Sequence, residues 1–248
     1  MTFIYNFPVK LNIPNVAFRS GSVTKIPYGT PTQDSFSTNP LYDKFGSKAE
    51  IETLARTNPR IQEILKEHNL QVKVNTEELE NLKQGHLKDT RVVAAQIYSS
   101  LPQEMKQELN PSEIQQAAML HDYGKVLIPN SILNKAGKLT DEEKEIMQLH
   151  SELGYELLKN KGLSENTLNL IKYHHQTPTG EGYPKVASDF VYGIDTQILN
   201  AADKYAALRE KRSYKDAMSR EDALSIIKED ADKGLISQEV YNALQKAV

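Results

Sequence analysis

From Lys48 to the last residue, apolar positions recur at helical spacing, and the gaps between the periodic stretches carry cap and stop residues. The pattern predicts helices near 48–56, 59–68, 76–100, 110–122, 140–160, 164–175, 190–212, 219–230 and 237–246. Pro59 suits a first helical position, as does Pro111 in the Asn110-Pro111-Ser112 opening. Thr140 followed by Glu143 reads as a capping box, while Gly124 and Gly162 read as helix ends. After residue 48 there is no hairpin signal, no βαβ alternation and no internal repeat. The expectation is an all-α bundle over 48–248.

Residues 1–47 break this rhythm. Stretches such as SGSVTKIPYGTPTQDSFSTNP are rich in Pro, Gly, Ser, Thr and Asn, and neither strand nor helix period persists. Such composition buries little surface, so the segment reads as an irregular, mobile leader and a candidate surface for a protein partner. Its scattered apolar residues, from Phe3 to Phe18, leave short strands open.

Composition then narrows the function classes. A net charge of −3 provides no basic field for a phosphate backbone, which argues against a nucleic-acid polymer as partner. With no cysteine, disulfides and thiolate metal sites are excluded, and a reducing cytoplasm is allowed. No stretch reaches the roughly 20 apolar residues of a membrane span, and the first residues lack a secretory signal. The expected location is cytoplasmic. Without a P-loop, GxGxxG or GxSxG motif, other common phosphate and acyl-transfer chemistries have no support.

The chemistry lies in where the histidines fall. His121-Asp122, His150, His174-His175 and Asp203 each sit beside an apolar helical face. His150 has Ile146 at i−4 and Leu153 at i+3, His175 has Ile171 at i−4, and Asp203 follows Leu199 at i−4. Burying so many imidazoles and carboxylates is costly unless they pair or hold a cation, which argues for one shared polar centre. Imidazole with carboxylate suits iron, manganese, zinc or nickel.

The stretch AAMLHDYGKVLIPNSILNKAGKLTDEEKEIMQLHSELGYELL resembles the core of HD-GYP phosphodiesterases, a branch of the HD superfamily of metal-dependent phosphohydrolases. The likeness continues through IKYHHQTPTGEGYP, ILNAADKYAAL and KRSYKDAMSREDAL, covering roughly 115–245. It implies an HD-type helical bundle in which His121, Asp122, His150, His174, His175 and Asp203 bind metal. It also implies that Lys125 lies beside the metals near the scissile phosphate. Tyr183, Arg212 and Lys215 would bind a cyclic dinucleotide such as cyclic di-GMP.

Departures from the family pattern bear on the metal count. The family's first histidine falls at Lys88, with His86 two residues earlier. The face from His86 runs through Thr90, Val93 and Ile97; that from Lys88 runs through Val92, Ala95 and Ser99. Lysine is also a poor ligand at neutral pH, so His86 is favoured, with a lost first ligand as the alternative. Gln176, Thr179 and Ala206 stand where the family has acids, and Leu82 or Gln84 replaces the glutamate of trinuclear members. One or two divalent transition metals are therefore expected. In the two-metal arrangement Asp122 bridges, His150, His174 and His175 serve one ion, and His86, His121 and Asp203 serve the other. Asp122 and Lys125 would carry the chemistry, with Lys125 stabilising developing charge on phosphorus. Two further readings stay open: an HD phosphohydrolase acting on another nucleotide or phosphoester, and a catalytically degenerate signalling module.

Overall fold

Side-chain caps decide where the chain starts to coil. The computed structural model describes residues 44–186, 190–210 and 217–248. Ser47 accepts from Glu50 N while Glu50 accepts from Ser47 N, opening α1 (Lys48–Thr57). Asn58 Oδ1 accepts from Arg60 N and Ile61 N at the head of α2 (Pro59–Glu67). Asn75, Asn110, Thr140 and Ser164 similarly open α3 (Thr76–Gln84), α6 (Pro111–Leu120), α8 (Asp141–Leu158) and α9 (Glu165–Tyr173). Thr140 completes the predicted capping box with Glu143. Ser219 and Ser237 cap α11 (Arg220–Asp232) and α12 (Gln238–Ala247). The remaining helices are α4 (His86–Ser100), the single turns α5 (Gln103–Lys106) and α7 (Asn130–Leu133), and α10 (Ile194–Arg209). A 3-10 turn covers Tyr123–Leu127.

No strand occurs among the described residues, and the all-α expectation holds. Helix α4 lies at the centre, packed against α6, α10 and α12, while α9 closes against α6 and α8. Ile97, Ile114, Leu168, Ile171, Leu199 and Leu244 interlock there, all 2% exposed or less. Among the described residues, no helix is long and apolar enough to cross a membrane.

The structure redraws several predicted boundaries. The single helix predicted over 76–100 is two, because Gly85 takes φ −116° and ψ −112°, outside the helical region, and turns the chain. The predicted 110–122 helix stops at Leu120, and Gly124 sits inside the 3-10 turn. The helix predicted from 190 starts at Ile194, since Gly193 at its N-cap is extended. Most of the predicted leader, residues 1–43, lies outside the described residues. Its end, Phe45, is buried edge-on against Tyr123, with ring centroids 4.8 Å apart.

Candidate metal centre

Two of the predicted histidines sit at helix ends, and the ends orient them. His121 caps α6 and His174 caps α9; in each the ring Nδ1 meets the carbonyl three residues back, Ala118 O at 3.0 Å and Ile171 O at 2.7 Å. His150, inside α8, does the same with Met147 O at 2.7 Å. A carbonyl can only accept, so Nδ1 carries a proton in each ring and Nε2 is turned inward. All three rings are buried, none more than 1% exposed. The partial negative charge of two helix C-termini is directed at the same spot.

That arrangement could hold a cation. His150 Nε2 and His174 Nε2 stand 3.3 Å apart, each a lone pair facing the other. Two nitrogens sharing one cation at zinc-like bond lengths and a tetrahedral angle lie about 3.3–3.4 Å apart. His121 Nε2 is buried and makes no well-formed hydrogen bond among the described residues. Three groups have ligand atoms mutually within 4.8 Å: His150, His174 and His175; His86, His121 and Asp203; and His121, Asp122 and His174. The donor set fits a borderline transition metal.

The carboxylates lie between the two histidine sets. Asp122 Oδ1 faces His150 Nε2 at 3.4 Å, while its Oδ2 lies 3.5 Å from His121 Nε2 and 3.9 Å from His86 Nε2. Lys125 Nζ donates to the same Oδ2 at 2.6 Å. Asp203 Oδ1 takes His86 Nε2 at 2.8 Å and lies 3.4 Å from His121 Nε2. Burial pushes His150 down to about 3 and His175 to about 4, and holds His174 well below the ordinary imidazole value. These rings are neutral, ready donors near pH 7. Burial also opposes charge on Asp122 and Asp203, yet Lys125 and His121 hold Asp122 well below the usual carboxylate range, and His121 and His86 do so for Asp203. His121 is raised despite its burial because Asp122 and Asp203 demand positive charge beside it. A metal ion meets the same demand.

Close backbone contacts hold the motif together. A Cβ on Gly124 would stand 2.0 Å from His150 O and 2.5 Å from Gly154 N, so only glycine lets the 3-10 turn lie against α8. After the His174-His175 pair the chain doubles back, and Tyr183 N donates to His175 O at 3.4 Å. Gly182 permits this approach, since its Cβ would fall 2.1 Å from that oxygen. Tyr183 lays its ring over His175, with centroids 4.6 Å apart. Gln176 is fully buried, donates Nε2 to Pro184 O, and accepts from Thr177 N with Oε1. A carboxylate could not donate to that carbonyl, so the amide suits this turn as a glutamate would not.

His86, His121, Asp122, His150, His174, His175 and Asp203 are brought into one cluster, with Lys125 and Tyr183 on its border. The helix break at Gly85 turns the His86 face inward: Thr90, Val93 and Ile97 are buried, while Lys88 and Val92 are exposed. Arg212 and Lys215 lie outside the described residues. Neither Gly154 nor the latch formed by Gln176 stands out from the apolar and polar pattern of the sequence. The signal for the first was its place four residues after His150, facing a glycine of the HD motif.

A family model described as an HD domain matches residues 62–240. A cyclic di-GMP phosphodiesterase response regulator, RpfG of Xanthomonas campestris, is 38% identical over 117 residues, 46% of this chain and 31% of that protein. A cyclic di-GMP phosphodiesterase of Thermotoga maritima is 37% identical over 141 residues, 56% of this chain and 38% of the relative. A 3'3'-cGAMP-specific phosphodiesterase of Vibrio cholerae is 33% identical over 135 residues, 54% and 29% of the two chains. The chain thus spans well under half the length of these relatives. An HDGYP protein from Bdellovibrio bacteriovorus has a TM-score of 0.48 and 17% identity, covering 63% of this chain and 50% of that one. By the extent of the model match, the chain belongs to the HD domain family.

Proposed function

We propose that this chain is a metal-dependent phosphodiesterase that hydrolyses a cyclic dinucleotide such as cyclic di-GMP. The observation that carries the proposal is Asp122, whose two oxygens face different histidine sets, Oδ1 toward His150 and Oδ2 toward His86 and His121. A carboxylate so oriented can bridge two cations. The relatives named as cyclic di-GMP and cGAMP phosphodiesterases support the substrate class.

In this reading His86, His121, Asp122, His150, His174, His175 and Asp203 hold one or two ions of iron, manganese, zinc or nickel. A bound divalent ion would act as a Lewis acid on a phosphoryl oxygen and lower the pKa of coordinated water. Lys125, 2.6 Å from Asp122, is a fixed cation that offsets charge building on the phosphoryl oxygens. Tyr183, held over His175, offers a ring on which a guanine can stack. Arg212 and Lys215 would share a phosphate, the arginine through its planar fork.

Two measurements test this reading. Metal-loaded protein should convert cyclic di-GMP or a related cyclic dinucleotide to linear product, followed by chromatography. Arg212→Ala should lower that turnover at least tenfold, roughly 1.4 kcal/mol, and barely change hydrolysis of bis(p-nitrophenyl) phosphate. Equal loss on both substrates makes Arg212 structural. Turnover of the small ester alone shifts the assignment to another phosphoester, and metal binding with no turnover of any phosphodiester selects a degenerate module. For the first ligand, His86→Ala should lower metal content and activity, whereas Lys88→Ala should leave the content unchanged by elemental analysis. The reverse result would mean that the family register holds and its first ligand is lost.

A further inference from the structure

His121, His150 and His174 each rest Nδ1 on the carbonyl three residues back, but His86 cannot. It is the first residue of α4, beyond the break at Gly85, and its buried Nδ1 has no hydrogen-bond partner among the described residues. Its Nε2 points the other way, at Asp203 Oδ1. Once Nε2 gives its lone pair to a cation, the neutral ring must carry its proton on Nδ1, and that N–H needs an acceptor. Among the described residues, a carboxylate stands close to it: Glu210 Oε2 lies 3.9 Å from His86 Nδ1.

The placement of Glu210 follows from α10. Asp203, Ala206 and Glu210 occupy one face at i, i+3 and i+7, and Glu210 N donates to Ala206 O at 2.9 Å as the helix ends. Ala206 fills little of that face. His86 also sits at a helix N-terminus, whose partial positive charge opposes a cation, unlike the C-termini behind His121 and His174. An anionic partner offsets this, whereas a backbone carbonyl suffices at the other two.

We propose that Glu210 is a positioning residue for the first metal ligand: it accepts the Nδ1–H of His86, fixes the ring tautomer and makes Nε2 a stronger donor. This rests on reading the cluster as a metal centre. The test is Zn2+ titration of the full chain against a chromophoric chelator, in wild type, Glu210→Ala, Glu210→Gln, His86→Ala and the double Ala variant. Glu210→Ala should weaken one Zn2+ site at least about tenfold and spare the other. Glu210→Gln, which keeps an acceptor oxygen, should recover most of that loss. The double variant should bind no more weakly than His86→Ala, since the effect passes through that ring. Imidazole nitrogen spectra of the Zn2+-loaded wild type should show His86 protonated on Nδ1. Unchanged affinity in Glu210→Ala, or a loss that adds to that of His86→Ala, overturns the inference while leaving the metal centre standing. Wild-type protein that binds no Zn2+ overturns both.

Discussion

Asp122→Ala is expected to leave protein that retains little or no metal and turns over a cyclic dinucleotide at least a thousandfold more slowly, about 4 kcal/mol of lost transition-state stabilisation. The size of the effect follows from position. Asp122 is 2% exposed, and its oxygens are the ones that face both histidine sets and Lys125 at once. Removing it takes from the two histidine sets the carboxylate they share and leaves the Lys125 cation to oppose an incoming metal. Elemental analysis and kinetics on one preparation decide the matter. A variant that keeps full metal content but loses activity would make Asp122 an acid–base group rather than a bridge.

Gly124→Ala is expected to damage fold and site together. Its Cβ would stand 2.0 Å from His150 O and 2.5 Å from Gly154 N, both backbone atoms that no rotamer change can move. Overpacking typically costs about 1–3 kcal/mol, and backbone against backbone belongs at or beyond the upper end. For a domain of this size, 3 kcal/mol lowers Tm by roughly 6–12 °C. The turn can escape only by lifting from α8, which carries Asp122 and Lys125 away from His150. Gly154→Ala provides the contrast. Its Cβ would meet Gly124 N at 3.2 Å, a contact that a few tenths of an ångström relieve. Thermal denaturation should rank wild type, Gly154→Ala and Gly124→Ala in that order, and a wild-type Tm for Gly124→Ala would refute the packing argument.

Helices were legible wherever a cap residue and an apolar period coincided, as at Thr140 and Pro59. The break at Gly85 was not, because the apolar pattern runs through it from Leu82 to Leu87, and only the backbone angles of one glycine separate the two helices. The cluster was legible because buried imidazoles and acids have few affordable explanations. Gln176 appeared in the sequence only as a missing acid; its use is to donate to Pro184 O, and periodicity cannot convey what a side chain bonds eight residues on. Glu210 is silent in the sequence for a related reason: as the C-cap of α10 it is an ordinary partly exposed glutamate until the ring of His86 is seen opposite.

The histidines that end α6 and α9 carry a consequence for engineering. Each occupies a stop position, and its ring proton satisfies a carbonyl that the helix leaves without a continuing turn. Ligand and punctuation are the same residue. Replacing either by cysteine or aspartate, as a redesign for another ion would, discards the ring proton that this carbonyl receives along with the nitrogen. Lengthening either helix by one residue would keep the histidine but rotate it by about 100° from its target. Transplanting this centre into another scaffold therefore means grafting whole helix endings, not side chains.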